Sequence, residues 1–336
     1  MARVPGSAGV YAAPTLRLDS GEELAPARLG WCRYGPEPAQ AERVVLFLHG
    51  ISASPQALPL DGEETAPDAG WGEGWIGPGQ YLDTRTCCVL VPNALGSCFG
   101  SSGPGSQREP EHFPAVTIAD TVRLQGQWLA AQGITQLDEI IGYSYGGYQA
   151  FQWAVAGPQR PRRVVVLASA PRGNGSAAEL DRLCRLAAAW QSGDAQARIQ
   201  WRTWRQSVLA RYGVRAWLAA QGCPDPEGRI AAEAARWADR FSPWSMARLR
   251  GAAMDFDVRA ALASCSVPLF WLRGRTDEVF PPGGEPLACP CVAQATVDGR
   301  AGHLSPLLES PAWQEVLCAL VQQPLPGSLH QGYEKL

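Results

Sequence analysis

Short apolar runs punctuate this chain, separated by longer stretches in which apolar side chains recur every three to four positions. The short runs, at residues 29–34, 44–48, 87–91, 139–142, 163–168, 267–273 and 292–297, predict strands. Helical patterns lie between several of them, at 118–132 and 145–157, and a closing helix is expected from about 311 to 321. Strands alternating with helices imply a mostly parallel sheet covered on both faces, an α/β architecture. One segment breaks the alternation. Residues 173–264 show no convincing strand; alanine, arginine and tryptophan recur there at helical spacing, as in Trp201, Trp204, Val208, Leu209 and Tyr212. This predicts a helical cap, 173–264, inserted into a core made of 1–172 and 265–336, over the strand ends where open α/β sheets bind ligands. Most of its six tryptophans (Trp190, Trp201, Trp204, Trp217, Trp237, Trp244) are expected to pack.

Chemistry enters at Gly142-Tyr143-Ser144-Tyr145-Gly146, directly after the apolar pair Ile140-Ile141. A strand that turns into a helix this sharply needs glycine on either side and leaves the central serine hydroxyl exposed above the sheet, the geometry of a nucleophile elbow. A serine hydroxyl is a poor nucleophile at neutral pH, so it needs a base within reach and a third group to orient that base. In this strand order the acid and then the histidine follow the nucleophile. Of the two downstream histidines, His303 sits in a loop between the last strand and the closing helix, and His330 in the tail. His303 is therefore the expected base. Asp277, first carboxylate after the strand at 267–273, is the expected acid, with its neighbour Glu278 as competitor. Tyr145 and Ile51 are placed to offer the two backbone N–H groups of an oxyanion hole, and His49 is expected to shape the Ile51 turn.

Composition narrows the partners. The chain has 336 residues and a net charge of −3, with no basic stripe for nucleic acid and no basic amphipathic stretch for a membrane surface. No apolar run approaches the length needed to cross a bilayer, and the start lacks the apolar core of a secretory signal, so a cytoplasmic location is expected. The ten cysteines lack zinc-site spacing and read as buried free thiols, with no metal expected.

The residues then resemble a known family, the homoserine O-acetyltransferase-like acyltransferases of the α/β-hydrolase superfamily. The strongest match is Asn93-Ala94-Leu95-Gly96-Ser97-Cys98-Phe99-Gly100-Ser101-Ser102-Gly103-Pro104, which is similar to that family's glycine-rich signature loop. Residues 77–84, 113–120, 145–150 and 277–282 also fit, in the right order. The resemblance implies an α/β-hydrolase fold, and a ping-pong reaction in which Ser144 takes an acyl group from acetyl-CoA or succinyl-CoA and passes it to the hydroxyl of a small acceptor. It implies no bound cofactor beyond acyl-CoA as co-substrate, substrate contacts from Asn93, and an arginine early in the cap that grips the acceptor's carboxylate. Arg185 aligns best with that arginine, a solvated cap arginine being the alternative reading. A two-pronged guanidinium–carboxylate bond contributes about 1.5–3 kcal/mol. A homodimer through the helical cap is a further expectation.

One departure stands out. Family members that acylate homoserine carry an aspartate directly after the catalytic histidine, where it binds the acceptor's ammonium; this chain has Leu304. Ser305, Glu285 or a cap carboxylate are the candidate substitutes, and an acceptor without an amine is the alternative. A serine hydrolase using the same three residues, with water resolving the acyl-enzyme, is the competing reading.

Overall fold

The computed structural model describes residues 3–66, 68–106, 109–283, 287 and 289–325. The strands are β1 (Gly6–Ala13), β2 (Leu16–Arg17), β3 (Glu23–Leu24), β4 (Ala27–Tyr34), β5 (Arg43–Leu48), β6 (Cys87–Pro92), β7 (Glu139–Tyr143), β8 (Val164–Leu167), β9 (Leu269–Gly274) and β10 (Val292–Val297). The helices are α1 (Ile118–Ala131), α2 (Tyr145–Ala156), α3 (Ala177–Gln191), α4 (Ala195–Arg211), α5 (Val214–Ala220), α6 (Pro226–Ala238), α7 (Pro243–Met254), α8 (Arg259–Leu262), α9 (Ser305–Leu308) and α10 (Ser310–Val321). The main sheet runs β1-β4-β6-β5-β7-β8-β9-β10. From β6 to β10 the neighbours pair in parallel, and β4 and β1 extend one edge antiparallel.

Both faces of the sheet are buried because its strands are apolar at odd and even positions alike. Leu46 and Leu48 of β5, Ile140 of β7 and Val164 and Val166 of β8 face α1 and α2, where Trp128, Phe151 and Trp153 pack. Val45 and Phe47, Ile141, and Val165 and Leu167 face the other way, against Trp313, Leu317 and Leu320 of α10 and Trp75 of the long β5–β6 loop. Helix α1 begins with a capping box, Thr117 and Asp120 bonding each other's backbone N–H at 2.8 and 3.0 Å.

Helices α3 to α8 fill the interval between β8 and β9. The two ends of that interval lie together: Gly173 N–H donates to the Phe256 carbonyl at 2.8 Å, and Arg172 pairs antiparallel with Asp257. The cap's interior is aromatic. Trp201 stacks on Trp204 at 4.8 Å, Trp237 on Phe241 at 4.8 Å, and Trp201 lies 5.0 Å from Trp237. Trp217 differs from these, since it lines the cavity beneath the cap.

Candidate active site

Strand β7 delivers Ser144 at its C-terminal end, and α2 starts at the next residue. Ser144 has φ 55° and ψ −116°, a strained conformation for a residue with a side chain. The turn closes only because its flanks are bare. A methyl group on Gly142 would overlap the Gly146 carbonyl, and one on Gly146 would overlap the Leu48 carbonyl at the end of β5. The loop carrying Ile51 is thereby pressed against the elbow, with Gly50 packed on Ser144.

The Ser144 hydroxyl lies 2.8 Å from His303 Nε2, and His303 Nδ1 lies 2.9 Å from Asp277 Oδ2. Nδ1–H donates to the carboxylate, which leaves Nε2 free to accept from the hydroxyl. Asp277 sits just beyond β9, and its second oxygen accepts the N–H groups of Val279 and Phe280 at 2.8 and 3.0 Å. Burial pushes the Asp277 carboxyl up, but the bond and charge of His303 and those two N–H groups outweigh it and hold the carboxyl below its ordinary value. Glu278 is exposed, whereas Asp277 is buried.

His303 is fixed from several sides. Its ring stacks on Tyr143 at 5.3 Å and touches Tyr212 of the cap and Phe280 at 4.8 and 5.5 Å. The Tyr143 hydroxyl donates to the His303 carbonyl at 2.9 Å. Glu309 ties down the preceding turn, accepting the N–H groups of Arg300 and Ala301 at 2.8 and 3.0 Å and the Ser305 hydroxyl at 2.7 Å. Ser305 also accepts the Trp313 indole N–H at 2.9 Å, so its hydroxyl is committed to the fold. His49 is buried with its Nδ1–H donating to the Gly50 carbonyl at 2.9 Å, and burial brings its pKa down to about 4. It is a neutral brace of the Ile51 turn.

A cavity of about 730 Å³ opens above Ser144 and His303, within the range of small-molecule sites. Ile51, Trp71 and Leu304 line it from the core, and Arg205, Leu209 and Trp217 from the cap. Arg205, on α4, is buried; its guanidinium lies 4.5 Å over the Trp237 ring and donates to the Ser52 hydroxyl at 3.0 Å. Trp237 in turn donates to the Ser52 carbonyl at 2.9 Å, so the cap is stitched to the Ile51 loop at one residue.

Two expected contacts are corrected by this geometry. Arg185 lies on α3 in a separate surface depression with Arg182, Leu186 and Trp204, because the helix face that carries it turns away from the sheet. The buried guanidinium at the catalytic cavity is Arg205, which sequence spacing missed. Asn93 is wholly buried and does not line the cavity. Its amide bonds the carbonyls of Cys98 and Phe99 and the N–H of Ala94, holding the signature loop in its fold. Glu285 and His330 lie outside the described residues.

The mostly parallel sheet with helices on both faces defines an α/β-hydrolase fold, and the pattern of that fold matches residues 43–310. Within that class the chain belongs to the homoserine O-acetyltransferase-like acyltransferases. It is 31% identical over 302 residues to the homoserine O-acetyltransferase of Geotalea uraniireducens (strain Rf4), covering 80% of this chain and 81% of that one. Against several other homoserine O-acetyltransferases it spans about half of the relative's length. Among solved structures, the homoserine O-acetyltransferase of Bacillus anthracis superposes with a TM-score of 0.79 at 17% identity, over 97% of this chain and 99% of that one. Esterase E22 superposes with 0.78 at 20% identity, over 94% and 100%. At such identities the superpositions speak to fold alone.

Proposed function

We propose that this chain is a CoA-dependent O-acyltransferase that carries an acetyl or succinyl group on Ser144 to the hydroxyl of a small acceptor. His303 Nε2 takes the Ser144 proton as Oγ attacks the thioester carbonyl, and the N–H groups of Ile51 and Tyr145 receive the developing oxyanion. Collapse breaks the carbon–sulfur bond, and His303 returns the proton to the CoA sulfur. The acceptor hydroxyl then gives its proton to His303 and attacks the acyl-serine, and Ser144 leaves with that proton. Asp277 keeps the imidazole aligned and offsets its positive charge in both halves.

What carries this reading is the unbroken bonded relay from Asp277 through His303 to Ser144 at the foot of a cavity that the cap roofs. Arg205 supports it further, as a buried guanidinium placed to take the role that family resemblance gives to a cap arginine, gripping an acceptor carboxylate. Leu304 favours a second reading, a serine hydrolase, since an apolar wall follows His303 where homoserine-acylating relatives carry an aspartate.

The two readings part on one measurement, thiol release from acetyl-CoA and succinyl-CoA with and without hydroxy-amino acids. Acceptor-dependent release is expected. Release at the same rate without acceptor, with free acid as product, would replace transfer by hydrolysis.

A further inference from the structure

The cavity above Ser144 is lined by two unlike sets of side chains. One set is polar and includes Arg205, Asp68 and Ser52. The other is apolar, and much of it comes from two short helical segments. Val214, Trp217 and Leu218 line the cavity from α5; Leu304, Leu307 and Leu308 line it from the turn that runs into α9. Both triplets have the spacing i, i+3, i+4, which puts each on a single helix face. The remaining charged lining comes from other elements, and part of it is already paired, Glu233 with Arg236 at 2.5 Å on α6.

The two triplets start side by side at the catalytic base. Gly213, just before α5, has φ 87°, and a methyl group on it would lie 3.2 Å from the Ala301 carbonyl oxygen. One on Gly302, next to His303, would lie 2.8 Å from the Tyr212 carbonyl oxygen. Glycine at both places lets the cap backbone rest on the turn that carries His303. The apolar side chains that follow this contact are not packed away. None of the α5 residues is buried, its three apolar side chains being half-buried, and Leu308 is 38% exposed. Six apolar side chains thus stay within reach of water beside a nucleophile, and an apolar group laid over them is stabilised by their burial. An acetyl group is too small to cover them, and a succinyl group ends in a carboxylate whose burial among them is costly.

We propose that the α5 and α9 triplets form an acyl-chain subsite, and that Ser144 takes up straight-chain apolar acyl groups of about six carbons. Each triplet spans about 6 Å of helix, a length that suits about four methylenes beyond the acyl carbonyl. The chain is assigned to the acyl group because that group stays on Ser144 while thiol and acceptor exchange, and because Arg205 already offers the acceptor a charged partner. The bonds made and broken are those of acyl transfer: Ser144 Oγ bonds to the carbonyl carbon, the carbon–sulfur bond breaks, and the serine proton leaves on the thiol by way of His303. This rests on the acyl-serine reading above and extends its donor class beyond acetyl and succinyl.

The test compares p-nitrophenyl acetate with p-nitrophenyl hexanoate, esters without a pantetheine arm, by kcat/KM for p-nitrophenol release from the native chain. Hexanoate is expected to exceed acetate about tenfold or more. The double substitution Leu218→Gln, Leu308→Gln is expected to lower the hexanoate-to-acetate ratio at least about fivefold at an unchanged melting temperature. A native chain that uses acetate as well as hexanoate, or a hexanoate preference untouched in the folded double variant, overturns the subsite. Should the double variant misfold, Leu308→Gln alone, at the most exposed of the six positions, is read in the same way. If the apolar wall serves the acceptor instead, no ester preference appears and 1-hexanol outcompetes ethanol as acetyl acceptor, which also overturns the assignment. Failure of the underlying reading looks different: Ser144→Ala then releases p-nitrophenol from both esters as fast as the native chain.

Discussion

The carbonyl of Leu48 occupies the place into which any side chain on Gly146 would project. The last residue of β5 therefore sits directly on the first turn of α2, and the Ile51 loop that follows β5 is held beside Ser144 by backbone packing. Gly146→Ala is expected to force these two backbones apart, costing about 1–3 kcal/mol of stability by overpacking. Acylation should slow as the Ile51 and Tyr145 N–H groups, proposed to receive the oxyanion, lose their common focus. Urea unfolding checks the first effect and the burst of p-nitrophenol from p-nitrophenyl acetate the second; a variant as stable and as quickly acylated as the parent would refute the close approach.

In the proposed mechanism Ser144 forms the covalent bond and Asp277 only aligns the base. Ser144→Ala is expected to abolish turnover, by roughly 10⁶, whereas Asp277→Asn should cost on the order of 10⁴ with the fold intact. Near-normal turnover of acetyl-CoA by Ser144→Ala would remove the nucleophile from this account. A negligible loss in Asp277→Asn would shift the orienting role to Glu278.

Much of this site was legible before any coordinates. The parallel strands and α1, α2 and α10 declare themselves by period, and the glycines of the elbow mark a turn with no alternative filling. Ser144, Asp277 and His303 are expected from chain order, and they follow β7, β9 and β10 respectively. What escaped is instructive. Strand β1 is built from Gly6-Ser7-Ala8-Gly9 and largely half-exposed or exposed positions, so it carries too little apolar signal to stand out. The choice between Arg185 and Arg205 depends on which helix face meets the Ile51 loop, and helical period alone does not fix the docking of α3 and α4. Asp68 lies in irregular chain, where no periodicity exists to read; its place is set by a single tertiary bond to Ser54.

Arg205 and Arg185 therefore make a paired experiment. Arg205→Met keeps the stem packed on Trp237 and removes the charge, and is expected to raise the acceptor KM about ten- to a hundredfold with a smaller effect on the acyl-CoA half-reaction. Arg185→Ala should leave both KM values within about twofold, as befits a side chain outside the catalytic cavity. Steady-state kinetics with acceptor and donor varied separately reads both. The reverse pattern, with Arg185 controlling acceptor KM, would restore the reading from sequence.

His49 ties the Ile51 loop to pH. Its folded pKa of about 4 lies below the ordinary histidine value of 6.5, so between these limits the unfolded chain binds a proton that the folded chain refuses. Stability attributable to this group is fully present above pH 6.5 and declines as pH falls, at about 1.4 kcal/mol per pH unit, levelling off only near pH 4. His49→Asn retains an N–H for the Gly50 carbonyl and removes the titration. Between pH 7.5 and 5.0 the native chain is therefore expected to lose about 2 kcal/mol more than His49→Asn in urea unfolding. Equal losses in the two proteins would mean that the ring gains its proton as readily folded as unfolded, and that the Ile51 turn tolerates a charge at its base.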